Sequence, residues 1–272
     1  LITKDKKEII IGPIELNPEI IEVLPPEKSN IILKAPTYFM NNRQLFIAKI
    51  EKLFNPYKKE LDNQLKTYNC DSTGNSDFNL LVHQKLVRDY INLITPYRGI
   101  LLYHGLGSGK TCSSIAIAEG LKSEKKIYVL LPASLKRNYT EELKKCGDLL
   151  YRKNQYWQFL NISEKPELLE SLSSILQISL ESIKKNNGAW FINYKIKEPN
   201  YDKLSSADKE SLDKQLDLMI ENKYIFIHYN GINSKRYNEI TKNETINPFD
   251  NNVVIIDEAH NFISMIVNKL KN

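Results

Sequence analysis

Two clusters of residues have the types and spacing to do chemistry. The first is the run His104-Gly105-Leu106-Gly107-Ser108-Gly109-Lys110-Thr111, set between the apolar stretch RGILLYH and the small-residue stretch CSSIAIA. Its three glycines let the backbone turn tightly and aim N–H groups at phosphate oxygens, and a helix starting there adds its positive end. At this spacing Lys110 reaches the β and γ phosphates of a nucleotide and the Thr111 hydroxyl ligates magnesium. The whole run from His104 to Thr111 is therefore the candidate ATP-binding segment, although His104 stands where the strict pattern has glycine. Alone, such a loop suits a kinase or a GTPase equally well, or a structural glycine turn with an incidental lysine.

The second cluster decides among these. In Val253-Val254-Ile255-Ile256-Asp257-Glu258-Ala259-His260, four apolar residues predict a buried strand that delivers two carboxylates at its end. Asp257 is the candidate for the Mg2+ shell beside Thr111, and Glu258 for orienting and activating the attacking water. Lys110, Asp257 and Glu258 are thus the candidate catalytic residues. His260 is either a capping and packing residue or a link between the nucleotide site and a neighbouring lobe.

Loop and DEAH sequence together resemble superfamily 2 helicases and translocases. Leu81-Val82-His83-Gln84 looks like the adenine-reading segment of that family, with Gln84 as the amide that recognises the base edge. Pro132-Ala133-Ser134-Leu135-Lys136-Arg137-Asn138-Tyr139 is similar to a strand-end motif that touches a nucleic-acid backbone in the Swi/Snf-type branch. Ser134, Lys136, Arg137 and Asn138 are its candidate contacts, since hydroxyls, amides and cations grip phosphate without reading bases. Ile227-His228-Tyr229-Asn230 occupies the place of a further backbone-contacting segment, or is a plain strand end. Most specifically, residues 78 to 265 resemble the helicase-like ATPases of large cytoplasmic DNA viruses, the group of the poxvirus early transcription factor small subunit and nucleoside triphosphate phosphohydrolase I.

The resemblance implies a nucleic-acid-dependent ATPase that moves on or remodels its partner during viral transcription, with DNA ahead of RNA as that partner. Subunits of a transcription machinery are the further partners it implies, and host cytoplasm or virion the location. A rival from another class is a promoter-binding or scaffolding subunit that keeps the ATPase fold as a nucleic-acid clamp. A small-molecule kinase would need a lid and an acceptor pocket, and DEAH is foreign to it.

Positioning these residues requires an α/β fold, a RecA-like parallel sheet sandwiched by helices forming the first lobe of a P-loop NTPase. Strands are expected at RGILLYH, KIYVLLP, KYIFIHY and NNVVII, whose apolar runs suit a buried parallel sheet. Helices are expected near 80–95, after Thr111, and through Leu135, Tyr139 and Leu143, the last with Glu141, Glu142, Lys144 and Lys145 turned outward. Residues 1–68 form an N-terminal extension, irregular where Pro13, Pro18, Pro25 and Pro26 fall, then a helix from Asn41 to about Asn55-Pro56. NCDSTGNSDF, residues 69–78, is the expected linker. The ATP-binding lobe then spans 79–272, with a mostly helical insertion at about 147–222 built on Leu168–Ile183, AWFINYKI and Ala207–Ile220. Tyr151, Tyr156 and Trp157 could stack bases, but aromatics near element ends are more often core.

A formal charge of +5 over 272 residues is compatible with nucleic acid without requiring it. Three separated cysteines, Cys70, Cys112 and Cys146, show no paired spacing and suggest a reducing compartment. No apolar run reaches the roughly 18 residues of a membrane span, so no membrane partner is expected. The chain opens on Leu1 and its last motif lies close to Asn272, so it is expected to be part of a longer protein whose second lobe lies outside it.

Overall fold

The computed structural model describes residues 17–24, 43–67, 80–91, 98–105, 107–121 and 125–270. The expected linker at 69–78, most of the proline-rich start and Leu106 of the phosphate loop lie outside these. The chain divides into two units, one of residues 1–26 with 155–215, the other of residues 27–154 with 216–272.

In the larger unit the first helix, Arg43–Thr67, runs straight through Pro56 instead of ending there. A proline removes one helical hydrogen bond, but residues on both sides of it are anchored to the helix Val82–Asp89. Phe54 stacks on Tyr90 at 6.4 Å, the Tyr57 hydroxyl bonds the Asp89 carboxylate, and Glu60 pairs with Lys85 at 2.6 Å. Three parallel strands follow, in the order Tyr224–His228, Ile127–Leu131, Val253–Ile256. Numbered along the whole chain, they are β4, β1 and β5, and the two helices just described are α2 and α3. The register pairs Leu131 with His228 and Leu130 with Ile256, so all three strands end on one edge.

β1 is buried at every position, as a central strand covered on both faces must be. On one face lie α4 (Lys110–Leu121) and α5 (Lys136–Cys146). Tyr224 of β4 donates to Glu119 of α4 at 2.5 Å, and Tyr139 of α5 meets the Phe226 ring edge-on at 6.1 Å. On the other face Tyr128, Leu130, Ile227 and Tyr229 form a core closed by Ile240 of α9 (Ser234–Thr241) and by Phe262 and Met265 of α10 (Ala259–Leu270). Helices on both faces of a parallel sheet give the RecA-like architecture expected from the sequence.

Several expectations need correction. The strand Val253–Ile256 is an edge rather than a buried strand: only Val253 is buried, and Val254 and Ile256 are each 39% exposed. RGILLYH is not a strand: residues 98–105 carry no strand pairing, and Leu101 and Tyr103 are 78% and 94% exposed. Apolar β-forming residues make a strand only where a sheet edge receives them, and β5, the edge beside β1, carries no further strand among the described residues. Lys144 does not face solvent; it is buried and bonds Asp217 at 2.7 Å and Glu141 at 3.1 Å. Cys112 and Cys146, unremarkable in spacing, are joined as a disulfide across α4 and α5, a pairing that their sequence spacing did not suggest.

The smaller unit contains α1 (Pro18–Ile21), a single helical turn with Pro18 at its first position, where no N–H is needed. Strands β2 (Trp157–Asn161) and β3 (Gly188–Ile192) pair antiparallel. The expected helix over Leu168–Ile183 is two, α6 (Leu168–Leu176) and α7 (Leu180–Lys185), because Gln177 turns left-handed at φ 53° and Ser179 caps a new start. Helix α8 spans Ser206–Lys223, and its Gln215 brackets Trp190 with two 2.8 Å hydrogen bonds. Trp157 is buried in this unit and Tyr151 in the larger one, so both are core residues rather than base-stacking platforms.

Candidate nucleotide and nucleic-acid site

The phosphate loop leads directly into α4, whose first two residues are Lys110 and Thr111. Gly107 and Gly109 sit at φ 77° and 75°, the left-handed region that a side chain disfavours by about 1–2 kcal/mol. Ser108 closes the turn through its hydroxyl to the Gly105 carbonyl at 2.8 Å. Lys110 Nζ donates to the carbonyls of His104 and Gly105, both at 3.2 Å. Its ammonium is thus held over the loop, where phosphate oxygens would replace those carbonyls as acceptors.

Helix α3 braces the loop from outside. The Gln84 side chain is buried; its Oε1 accepts from the Leu81 N–H at 3.0 Å and its Nε2 donates to the Gly109 carbonyl at 3.3 Å. The amide expected to recognise a base edge is therefore bonded to the loop itself. His83, next to Gln84 on α3, places Nε2 2.9 Å from the Ser108 carbonyl and its ring edge-on to His104 at 5.7 Å. Sequence offers no signal for this contact, since the partners are 25 residues apart.

At the end of β5 the chain turns sharply. Asp257 keeps its backbone N–H on the Leu130 carbonyl at 2.9 Å, and Glu258 adopts φ 51°, a strained value for glutamate. The buried Tyr229 hydroxyl donates at 3.4 Å to the carbonyls of Asp257 and Glu258; it positions this turn, a part not anticipated from sequence. The Asp257 carboxyl is pushed above its ordinary value by burial and by the negative charge of Glu258, against the backbone amide of Glu258 and the charge of Lys110. His260 Nδ1 lies 3.2 Å from Glu258 Oε2.

A partly buried carboxylate crowded by a second one is a donor set that a divalent cation relieves. Asp257 is thus an oxygen donor of the kind that magnesium, a hard cation, takes, and the Thr111 hydroxyl at the start of α4 is another.

Beside the DEAH turn, a groove of about 890 Å³ runs along the strand ends, lined among others by Pro132, Ser134, Asn230, Glu258, His260 and Asn261. Residues 133–135 form one 3-10 turn leading into α5. Ser134, Arg137 and Asn138 are exposed there. Lys136 is more engaged, paired with Glu221 at 2.9 Å and lying 5.4 Å over the Phe226 ring.

Fold and site together define a RecA-like ATP-binding lobe of the helicase type. The chain belongs to the family of the type III restriction enzyme res subunit, whose model matches residues 77–272, and is a superfamily 2 helicase-like protein of large DNA viruses. It is 33% identical over 190 residues, 70% of its length, to an Acanthamoeba polyphaga mimivirus protein named for an inferred ATP-dependent RNA helicase activity, covering 25% of that protein. A second mimivirus protein so named is 28% identical over 96% of the chain, which covers 21% of it. A protein of invertebrate iridescent virus 3 named for an inferred helicase is 28% identical over 67% of the chain, which covers 15% of it. The chain therefore spans a quarter or less of the length of these relatives. No solved structure matches it.

Proposed function

We propose that this chain is the ATP-binding lobe of a nucleic-acid-stimulated ATPase that moves on or remodels DNA in viral transcription. The observation that carries the proposal is that α4, which begins with Lys110 and Thr111, packs against β5, the strand whose end delivers Asp257 and Glu258. When bound, magnesium would screen the phosphates and polarise the γ-phosphoryl group. Lys110 would exchange its two carbonyl acceptors for phosphate oxygens, and Thr111 and Asp257 would hold the metal. Glu258, on its strained turn, would orient the attacking water, and Gln84 and His83 would hold the loop in shape. Ser134, Arg137 and Asn138, with Lys136, would take the nucleic-acid backbone where the groove leaves the DEAH turn.

Backbone contacts of this kind do not separate DNA from RNA. The resemblance to the Swi/Snf-type branch favours DNA, whereas the mimivirus relatives are named for RNA, so turnover is to be measured with both. In the full-length protein, Glu258→Gln should keep nucleotide binding and cut stimulated hydrolysis by at least about a hundredfold, the scale of losing a general base. Turnover close to wild type would overturn the role of Glu258. Nucleotide binding without turnover in the wild type would favour the clamp function instead.

A further inference from the structure

We propose that Cys112 and Cys146 are a thiol–disulfide switch that clamps the helix carrying the phosphate-loop lysine. Cys112 lies in the first turn of α4, two residues beyond Lys110, and Cys146 is the last residue of α5. Their Cα atoms are 5.8 Å apart, within disulfide reach, although 34 residues separate them. Both are buried, and the bond adds a covalent tie to the contact between Ser114 Oγ and Tyr139 Oη at 3.2 Å that also joins these helices.

The surroundings set how such a switch behaves. The Glu142 carboxylate lies 3.5 Å from the Cys112 sulfur and pairs with Lys145 at 2.8 Å. Burial of both sulfurs limits the access that thiol exchange requires, so the pair responds to a sustained redox change rather than a passing one. In forming the bond, two thiols give up two protons and two electrons. A small disulfide such as oxidised glutathione accepts them through a mixed disulfide, its own S–S bond breaking to two thiols as the Cys112–Cys146 bond closes.

The consequence rests on the ATP-binding function proposed above. To meet phosphates, Lys110 exchanges the His104 and Gly105 carbonyls for phosphate oxygens. The covalent tie two residues further on restrains the first turn of α4, which carries Lys110 and Thr111, from settling around a nucleotide, so the oxidised form binds nucleotide more weakly than the reduced form.

The test equilibrates full-length protein in oxidising and reducing glutathione buffers, maps the cysteine peptides by mass spectrometry, and titrates a fluorescent ADP. A Cys112–Cys146 peptide formed only under oxidation supports the clamp, provided nucleotide affinity falls about fivefold or more, the low end for coupled sites. That redox response should vanish in Cys146→Ser. Absence of the cross-linked peptide, or equal affinity in both buffers, overturns the clamp while leaving the ATP site standing. Nucleotide binding in neither buffer overturns both. The ligand atoms of Cys112, Cys146 and Glu142 lie within 4.8 Å of one another. One equivalent of zinc held by the reduced protein and lost in Cys146→Ser would also overturn the switch, making the pair a metal site.

Discussion

Gly109 shows why the loop needs glycine where it has it. At φ 75° a side chain is strained, and a Cβ there would lie 2.3 Å from Gln84 Nε2. Gly109→Ala should therefore cost about 1–2 kcal/mol in backbone strain, displace the Gln84 amide and weaken nucleotide binding. Urea denaturation alongside a nucleotide titration would check it; unchanged values in both would mean the loop tolerates a side chain there. The glycines, Lys110 and Thr111 were legible because turn chemistry is local in sequence. The bond from Gln84 to Gly109 was not, because it joins residues 25 apart in the chain. Asp257 makes a second prediction. Its raised folded-state pKa means that below the ordinary 3.8 both folded and unfolded chains hold the proton, and that stability is lost as pH rises through the raised value. Asp257→Asn should accordingly raise the thermal midpoint of the nucleotide-free protein at neutral pH, with the gain fading towards acid, while Mg2+-dependent nucleotide binding falls. A lower midpoint at neutral pH would show that the carboxylate is not under strain.

At the scale of elements, α5 carries the most informative mismatch between sequence and structure. Its Tyr139 and Leu143 are buried as their spacing predicts, but Lys144, adjacent in sequence to the apolar face, is buried as well. Helical periodicity marks an apolar stripe; it does not report that residues 216–223 of α8 bring Asp217 against its border. Removing the carboxylate leaves the buried ammonium short of a partner, whereas removing the ammonium leaves only half-exposed carboxylates that water solvates. Lys144→Met should change stability by less than about 1 kcal/mol, and Asp217→Ala should cost about 1–2 kcal/mol, below the fully buried range because Asp217 is half exposed and Glu141 remains. Denaturation of both variants decides it, and a larger loss in Lys144→Met would mean that the ammonium is net stabilising. The same limit explains the other differences: β1, β4 and β5 were legible as apolar runs because the sheet uses them, RGILLYH has the same composition without a paired edge, and α2 passes Pro56 because α3 holds both sides.

For the molecule as a whole, the decisive arrangement is that three parallel strands end on one edge, bringing the DEAH turn and the start of α5 onto a shared groove. Ligands gather at such carboxyl ends of open α/β sheets, and this placement follows from the parallel order of the strands. Which cation faces a ligand does not follow from topology. Lys136 and Arg137 look equivalent in the sequence, yet the Lys136 ammonium is held by Glu221 and covers Phe226, while Arg137 is exposed. An ammonium already paired releases fewer counterions from a nucleic acid than a solvated guanidinium, and Arg grips phosphate in two-pronged fashion. Arg137→Ala should therefore weaken binding similarly across unrelated sequences and reduce the log–log salt slope by about 0.7–0.9, the share of one phosphate contact. Lys136→Ala should lower the slope by less while costing some stability through the lost contact with Glu221 and Phe226. Affinity measured from low to moderate salt on DNA and on RNA gives both slopes. A slope untouched by Arg137→Ala would place the backbone contacts on another surface, and a drop confined to Lys136→Ala would mean that nucleic acid displaces Glu221 from its partner on binding.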